Sequence, residues 1–178
     1  MPDFIVTLAA MAASGKETLM RQNRASMASS GLSQGILDTC CAVVQQAFEG
    51  LAEGKNVEQL SFDGVPAELK PVFESSVKQC DTPNLRYLLN VDVSKSLDKV
   101  KCPVLALNGT KDTQVDCASN IQVLESGLIN SRHEIKKFEG LNHLFQHCTT
   151  GSVLEYQQIE ETIAPEVLQA IIGWLKTL

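Results

Sequence analysis

The stretch at residues 102–109, CPVLALNG, decides the fold of this chain. It is a continuous apolar run that ends at a glycine, which is typical of a strand covered on both faces. Strands covered on both faces belong to parallel sheets, where helices lie above and below the strands. The stretch therefore predicts a parallel α/β sheet.

The segments that follow this stretch extend the prediction. Apolar residues recur at helical spacing over about 118–128, and HEIKKFEG at 133–140 then predicts a shorter strand. A strand, a helix and a strand in this order form the usual parallel unit of about thirty residues or more. A closing helix is predicted over 164–178, where Pro165 occupies the first turn and the apolar residues form one stripe.

The segments before this stretch predict one more strand and a helical region. Asp3–Met11, DFIVTLAAM, is an apolar run that predicts a strand covered on both faces. Residues 14–100 predict only helices and short loops, beginning with a capping box at Ser14 and Glu17. Further helices are predicted over 65–79, with Pro66 in the first turn, over 81–89, and along the stripe Leu37, Cys41, Val44, Phe48 and Leu51.

Composition narrows the class of protein. The chain has 178 residues, of which 44% are hydrophobic and 20% charged, so it is long and apolar enough to bury a core. Its net charge of -6 and the absence of a basic run argue against nucleic acid and anionic membranes as partners. The apolar run Phe4–Ala13 is too short to span a bilayer and has no basic region before it, so we expect a cytoplasmic protein.

The cysteines and the absence of nucleotide motifs bear on cofactors. The six cysteines show no CxxC and no Cys/His ligand spacing, so we expect reduced thiols, most of them buried as small apolar side chains. The sequence contains no phosphate-binding loop and no GxGxxG. We therefore expect neither a metal nor an organic cofactor.

Two polar residues stand where adjacent strands would end. Asp112 follows the strand at 104–108, and His143 follows the strand at 134–138. The carboxyl ends of parallel strands share one edge of a sheet, and neighbouring strands lie about 4.8 Å apart, so the carboxylate can reach the imidazole. Taken singly, each residue is more often a turn or solvated loop residue, but their joint placement predicts an acid–base pair.

The segments VSKSLDKVKCPVLALNGTKDTQVD, FEGLNHLFQ and GSVLEYQQIEETIAPEVLQAIIGWL, at 93–116, 138–146 and 151–175, resemble the carboxy-terminal half of α/β-hydrolases. The resemblance is to the serine-hydrolase type, near the bacterial esterase and serine-aminopeptidase-like branch. It implies that Asp112 is the catalytic acid and His143 the catalytic base, in the order found in these enzymes.

The same resemblance implies the domain organisation. Residues 1–13 resemble the sixth strand of the family, so 1–13 and 101–178 would form a partial α/β-hydrolase core. Residues 14–100 would form its helical cap. The expected fold class is therefore α/β, a partial α/β-hydrolase fold with three parallel strands, the sixth to eighth of the family sheet, and a cap insertion.

The nucleophile of the family has no counterpart in this sequence. The family serine lies in a GxSxG elbow after the fifth strand, in a segment that would precede Met1, so we expect an isolated chain to be inactive. Gly31–Gly35 does satisfy GxSxG around Ser33, but an elbow needs a buried strand before the serine, and the preceding residues are polar and helical. Ser33 fits better as a helix N-cap.

Three functions remain open at this stage. The first is an ester or acyl hydrolase lineage that carries the acid and base but not the serine. The second is a non-enzymatic scaffold that binds a small apolar or ester ligand or another protein. The third is one half of a split hydrolase. Because a chain of this kind leaves its first strand unpaired, we expect either a homo-oligomer or a separate amino-terminal half as partner.

Other polar residues are weaker candidates. His133 and His147 are expected to be solvated strand-start and loop residues, although either could line a cleft. Glu160 and Glu161 are expected on a solvated helix face. Asn142, immediately before His143, is expected to orient the loop that carries the histidine.

Overall fold

The computed structural model describes residues 2–178, which form two compact units. One unit contains residues 2–13 and 92–178, and the other contains residues 14–91. The role of the second unit as a cap remains a prediction. In chain order the elements are β1 (Ile5–Leu8), α1 (Gly15–Ser29), α2 (Gln34–Ala52), α3 (Lys70–Cys80), α4 (Pro83–Asn90), β2 (Val104–Gly109), α5 (Cys117–Gly127), β3 (His133–Phe138) and α6 (Pro165–Leu175).

The first unit is built on one parallel sheet. Its three strands have the order β1-β2-β3, and Val104 at the start of β2 is in register with Ile5 of β1 and His133 of β3. Helices surround the sheet. The predicted α/β class, with three parallel strands in one sheet, is confirmed.

Strand β2 lies in the centre because apolar residues occupy both of its faces. Every residue of this strand is buried. Leu105 and Leu107 belong to one core cluster with Trp174 of α6. Val104 and Ala106, which point to the opposite face, belong to another cluster that includes residues of α5. The alternation of a strand thus distributes one apolar run between two cores.

Strand β1 differs from the prediction. It is shorter than 3–11, and it is not covered on both faces, since Leu8 is 49% exposed and the other three residues are only partly buried. The physical reason is its position at the edge of the sheet, where only β2 pairs with it. The strand ends at Leu8, because the φ of 48° at Ala9 turns the backbone out of the extended conformation.

The helical unit is held together by the face of α2 that the sequence stripe predicts. Val44, Phe48 and Leu51 of this helix are buried in one cluster with residues from the other helices. The hydroxyl of Ser14 accepts a hydrogen bond from the backbone N–H of Glu17, as expected for the start of α1. None of the helices described within residues 2–178 is both long and apolar enough to cross a membrane.

The third helix begins later than predicted. It starts at Lys70 with Pro71 in the first turn, whereas the prediction placed its start at 65 with Pro66 in that position. The carbonyl oxygen of Pro66 accepts hydrogen bonds from the backbone N–H groups of Leu69 and Lys70, so a turn precedes the helix. Three short 3-10 helices that the sequence analysis did not predict lie at Val57–Gln59, Val93–Lys99 and Val153–Gln158.

Gly109 ends β2 where two chain segments approach each other closely. A Cβ at this position would collide with the backbone oxygens of Leu141 and Asn142, next to the loop that carries His143. Gly109→Ala is therefore expected to lower the free energy of unfolding by about 3 kcal/mol. Chemical denaturation followed by circular dichroism measures this loss.

Gly173→Ala is the matched control. Gly173 lies in α6, and a Cβ there would meet nothing within 4 Å. Alanine should raise the free energy of unfolding by about 0.5–1 kcal/mol, because it favours the helix. Equal effects of the two substitutions would contradict the close approach at Gly109.

Candidate active site

Asp112 and His143 lie in contact at the carboxyl edge of the sheet. Asp112 is in the turn after β2, and His143 is in the loop after β3. Nδ1 of His143 is 2.9 Å from Oδ2 of Asp112, which is hydrogen-bond distance. The structure therefore brings together the two residues that the sequence analysis predicted to form a pair, because the strands before them are neighbours in the sheet.

The carboxylate of Asp112 is completely enclosed by donors. Its side chain has no solvent exposure. Oδ1 accepts hydrogen bonds from the backbone N–H groups of Gln114 and Val115, each at 2.8 Å. Oδ2 accepts from Nδ2 of Asn108 at 3.4 Å and lies within hydrogen-bond distance of the His143 ring. Both oxygens thus act only as acceptors, which is the role of the ionised form.

This arrangement decides which nitrogen of His143 carries the hydrogen. Because Asp112 only accepts, Nδ1 of the neutral ring must be the donor, and Nε2 keeps its lone pair. Among residues 2–178, Asp112 is the one hydrogen-bond partner of the His143 ring. The side chain is 26% exposed, so Nε2 is free to exchange a proton with a reacting group.

Asn142 organises the loop that carries His143. Its side chain is fully buried, and its Oδ1 accepts from the backbone N–H groups of Leu144 and Gln146 at 2.9 and 3.0 Å. Its Nδ2 donates to Oε1 of Gln146. The side chain of Asn142, which precedes His143, thus bonds to residues that follow His143. This is the role expected of a residue that orients the loop.

Phe145 holds the same loop in a strained conformation. Its φ of 58° lies in the left-handed region, which bulky residues avoid. The ring is 2% exposed and stacks edge-to-face on Phe138 of β3, with centroids 6.1 Å apart. Its backbone oxygen accepts from the N–H of Ala164 at the start of α6. Burial and these bonds offset a backbone cost of about 1–3 kcal/mol.

A second loop closes over the turn that contains Asp112. Nζ of Lys111 donates to the backbone oxygens of Cys148 and Thr149. The hydroxyl of Thr113 donates to the backbone oxygen of Gly151, where a Cβ would collide with Lys111. These contacts involve residues on both sides of Asp112, so the turn is held from outside as well as by its own amides.

The remaining candidates occupy different positions. Ser33 is the N-cap of α2, as expected, although its side chain makes no capping hydrogen bond, and helix α1 rather than a strand comes before it. It therefore lacks the setting of a nucleophile elbow. His133 is exposed at the first residue of β3, with Nδ1 3.0 Å from the backbone oxygen of Ser131.

His147 and Glu161 are in hydrogen-bond contact, which the sequence analysis missed. Nδ1 of His147 is 3.0 Å from Oε2 of Glu161, and Nε2 is 3.2 Å from Oε1 of Glu166. Only a protonated ring donates to both carboxylates. The expectation that Glu161 lies on a solvated helix face is wrong, since it precedes α6 and also accepts from the backbone N–H of His147.

The cysteines are all free, and burial raises the pKa of three thiols, those of Cys40, Cys117 and Cys148. A raised pKa keeps a thiol protonated and unreactive. Within residues 2–178, no group of three or more His, Cys, Asp or Glu side chains is placed to hold a metal ion.

The comparisons with known proteins add a similarity to solved structures. No protein-family model matches the chain, and no curated protein matches it. A solved structure, the crystal structure of an esterase, RhEst1 from Rhodococcus sp. ECU1013, is similar with a TM-score of 0.39 and 18% sequence identity. The similar region covers 99% of this chain and 56% of that chain, so the chain spans about half the length of that esterase structure.

The hydrogen bonds that Glu161 accepts from His147 generate a pH-dependent contribution to stability. The backbone N–H and the ring of His147 lower the pKa of Glu161 in the folded protein. A lowered folded pKa stabilises the fold above the unfolded pKa, and this contribution is lost as the pH falls through the folded pKa. The stability difference between the parent and Glu161→Gln should therefore shrink from about pH 7 to about pH 3.

Denaturant titrations of both proteins at each pH measure this difference. Glu160→Gln is the control, because Glu160 is the exposed neighbouring carboxylate. A Glu161→Gln difference that stays constant across the acid range, or one that Glu160→Gln reproduces, would contradict the prediction.

Proposed function

We propose that Asp112 and His143 are the acid and base of a hydrolytic site of the Ser-His-Asp kind, in an ester or acyl hydrolase lineage. The observation that supports this proposal is the 2.9 Å contact between Nδ1 of a half-buried imidazole and a fully enclosed carboxylate. A buried aspartate that only accepts hydrogen bonds holds the ring in the tautomer required of a general base.

The chemistry follows from the free Nε2 of His143. As a serine hydroxyl attacks the carbonyl carbon of an ester, Nε2 takes the hydroxyl proton, and Asp112 stabilises the imidazolium through Nδ1. The imidazolium then gives that proton to the departing alkoxide, which leaves an acyl-serine. A water molecule then attacks the acyl carbon and gives a proton to Nε2. Nε2 returns this proton to the serine oxygen as the bond between that oxygen and the acyl group breaks, which releases the acid.

The serine is proposed to come from another polypeptide segment. Within residues 2–178 the His143 ring forms a hydrogen bond with Asp112 and with no serine. Ser33 follows a helix instead of a strand, so it lacks the setting of a nucleophile elbow. A triad without its nucleophile and oxyanion donors loses several orders of magnitude in rate. The isolated chain is therefore expected to have negligible turnover.

The test compares the isolated chain with the chain recovered from cells that produce it naturally. The purified chain alone should neither hydrolyse a short-chain aryl ester nor react with a fluorophosphonate probe. In the natural context, ester hydrolysis and labelling of a serine outside this chain should both be present. His143→Ala should abolish both, with a loss of at least about a thousandfold in turnover.

The control is His133→Ala, which removes an exposed histidine away from Asp112 and should leave turnover unchanged. Stoichiometric labelling of Ser33 would overturn the part of the proposal that assigns the serine to another segment. Turnover that survives His143→Ala, or no turnover in the natural context, would overturn the hydrolase assignment and favour a non-enzymatic binding scaffold.

A second proposal concerns the edge of the sheet. We propose that the isolated chain pairs with a second copy of itself through β1, whose outer edge has no strand partner among the described residues. Phe4, immediately before the strand, and Leu8, its last residue, are 42% and 49% exposed, and unpaired edges of this kind promote association. The nucleophile-bearing segment would compete for the same edge.

Sedimentation equilibrium at micromolar concentration tests the pairing. The parent chain should sediment as a dimer, and Leu8→Lys should give a monomer, because a lysine on an edge strand opposes pairing. Leu154→Lys is the matched control, since Leu154 is 80% exposed outside the sheet. A monomeric parent, or equal masses for the two variants, would rule out this edge as the interface.

A further inference from the structure

Two buried asparagines connect the backbone after β1 with the carboxylate of Asp112. Asn108 lies in β2 and Asn120 in α5, and they are 2% and 3% exposed. Buried amides are costly unless their donors and acceptors are paired, and both amides here are paired on each side. Neither residue forms a hydrogen bond with His143, so neither belongs to the pair Asp112 and His143, the dyad, itself.

The chain of hydrogen bonds starts at backbone groups whose polarity cannot change. The N–H of Ala12 donates to Oδ1 of Asn120 at 2.8 Å. Nδ2 of Asn120 donates to the carbonyl oxygen of Ala10 at 3.1 Å. A backbone N–H only donates and a backbone carbonyl only accepts. These two contacts therefore determine which end of the Asn120 amide faces the segment after β1.

The same polarity continues to the dyad. Nδ2 of Asn120 also donates to Oδ1 of Asn108 at 2.7 Å. Nδ2 of Asn108 consequently points the other way and donates to Oδ2 of Asp112 at 3.4 Å and to the carbonyl oxygen of Val115 at 3.3 Å. The Val115 carbonyl is a second fixed acceptor, so both ends of the chain agree on the orientation of Asn108.

We infer that Asn120 and Asn108 are positioning residues for the dyad. Through them the backbone at residues 10–12 presents a donor to Asp112, holds its carboxylate as an acceptor and so keeps the hydrogen of the neutral imidazole on Nδ1 of His143. The assignment of Asp112 and His143 as a catalytic pair rests on the proposed function. The hydrogen-bond chain itself is measurable without any turnover.

Reversal of either amide shows why the chain transmits polarity. If Asn108 turned over, its oxygen would face Oδ2 of Asp112 and the carbonyl oxygen of Val115, and its N–H group would face Nδ2 of Asn120. Acceptors would then oppose acceptors and a donor would oppose a donor among buried side chains. Oδ2 of Asp112 would then face an acceptor in place of its donor, and its contact with Nδ1 of His143 would lose that support.

The test uses nitrogen–proton correlation spectra of protein with labelled histidines, which distinguish the two neutral tautomers and detect a protected Nδ1 proton. The chain has three histidines, and His133→Gln and His147→Gln assign the signals. In the parent, His143 should show the Nδ1–H tautomer with a slowly exchanging proton. Asn120→Leu, which keeps the volume but removes the amide, should lose this protection and populate the Nε2–H tautomer.

Leu124→Ala separates positioning from stability. Leu124 is buried on the same helix and contributes to the core of α5 without joining the hydrogen-bond chain. This variant should unfold more easily and still show the parental His143 signals. Asn120→Asp is a second variant of unchanged shape, and it should lose the parental signals when the pH is raised, because an ionised carboxylate at position 120 cannot donate to Asn108.

Parental His143 signals in Asn120→Leu, or in Asn120→Asp at high pH, would overturn the inference. So would an equal loss of these signals in Leu124→Ala, since stability alone would then explain the result. A failed ester-hydrolysis test leaves these spectra unaffected, and a failed spectroscopic test leaves turnover to be measured independently, so the two failures are distinguishable.

Discussion

The hydrogen bonds that enclose the carboxylate of Asp112 are the interactions on which the rest of the site depends. Removing a carboxylate from water is strongly unfavourable unless donors replace the lost hydration. Here the replacement comes from the backbone of the turn after β2, from Asn108 and from the ring of His143. The turn, the loop after β3 and the amides beneath them must therefore adopt one arrangement together.

Much of the fold was predictable because it rests on short-range periodicity. The apolar run at 102–109 became the buried central strand, and the stripe along α2 became the core of the helical unit. The proximity of Asp112 and His143 was also predictable, since two neighbouring parallel strands bring their following loops to one edge. Their catalytic role remains a proposal.

The features that were missed depend on contacts that spacing does not encode. The bond from Ala12 to Asn120 joins residues 108 positions apart, and nothing in either local sequence indicates it. His147 and Glu161 are only 14 positions apart, but an irregular segment lies between them, so no periodicity relates them. The unpaired edge of β1 was expected from the resemblance, but the exposure of its side chains was not, because an apolar run alone does not reveal it.

The complete enclosure of Asp112 makes the site sensitive to the length of the side chain as well as to its charge. A glutamate would carry the same charge on a stem one methylene longer, and its oxygens would be displaced from the amides of Gln114 and Val115. The side chain at position 112 has no solvent exposure, so the extra group would have to displace packed neighbours. Homologous sequences that keep this turn should therefore retain aspartate at this position and exclude glutamate, although the two side chains carry the same charge.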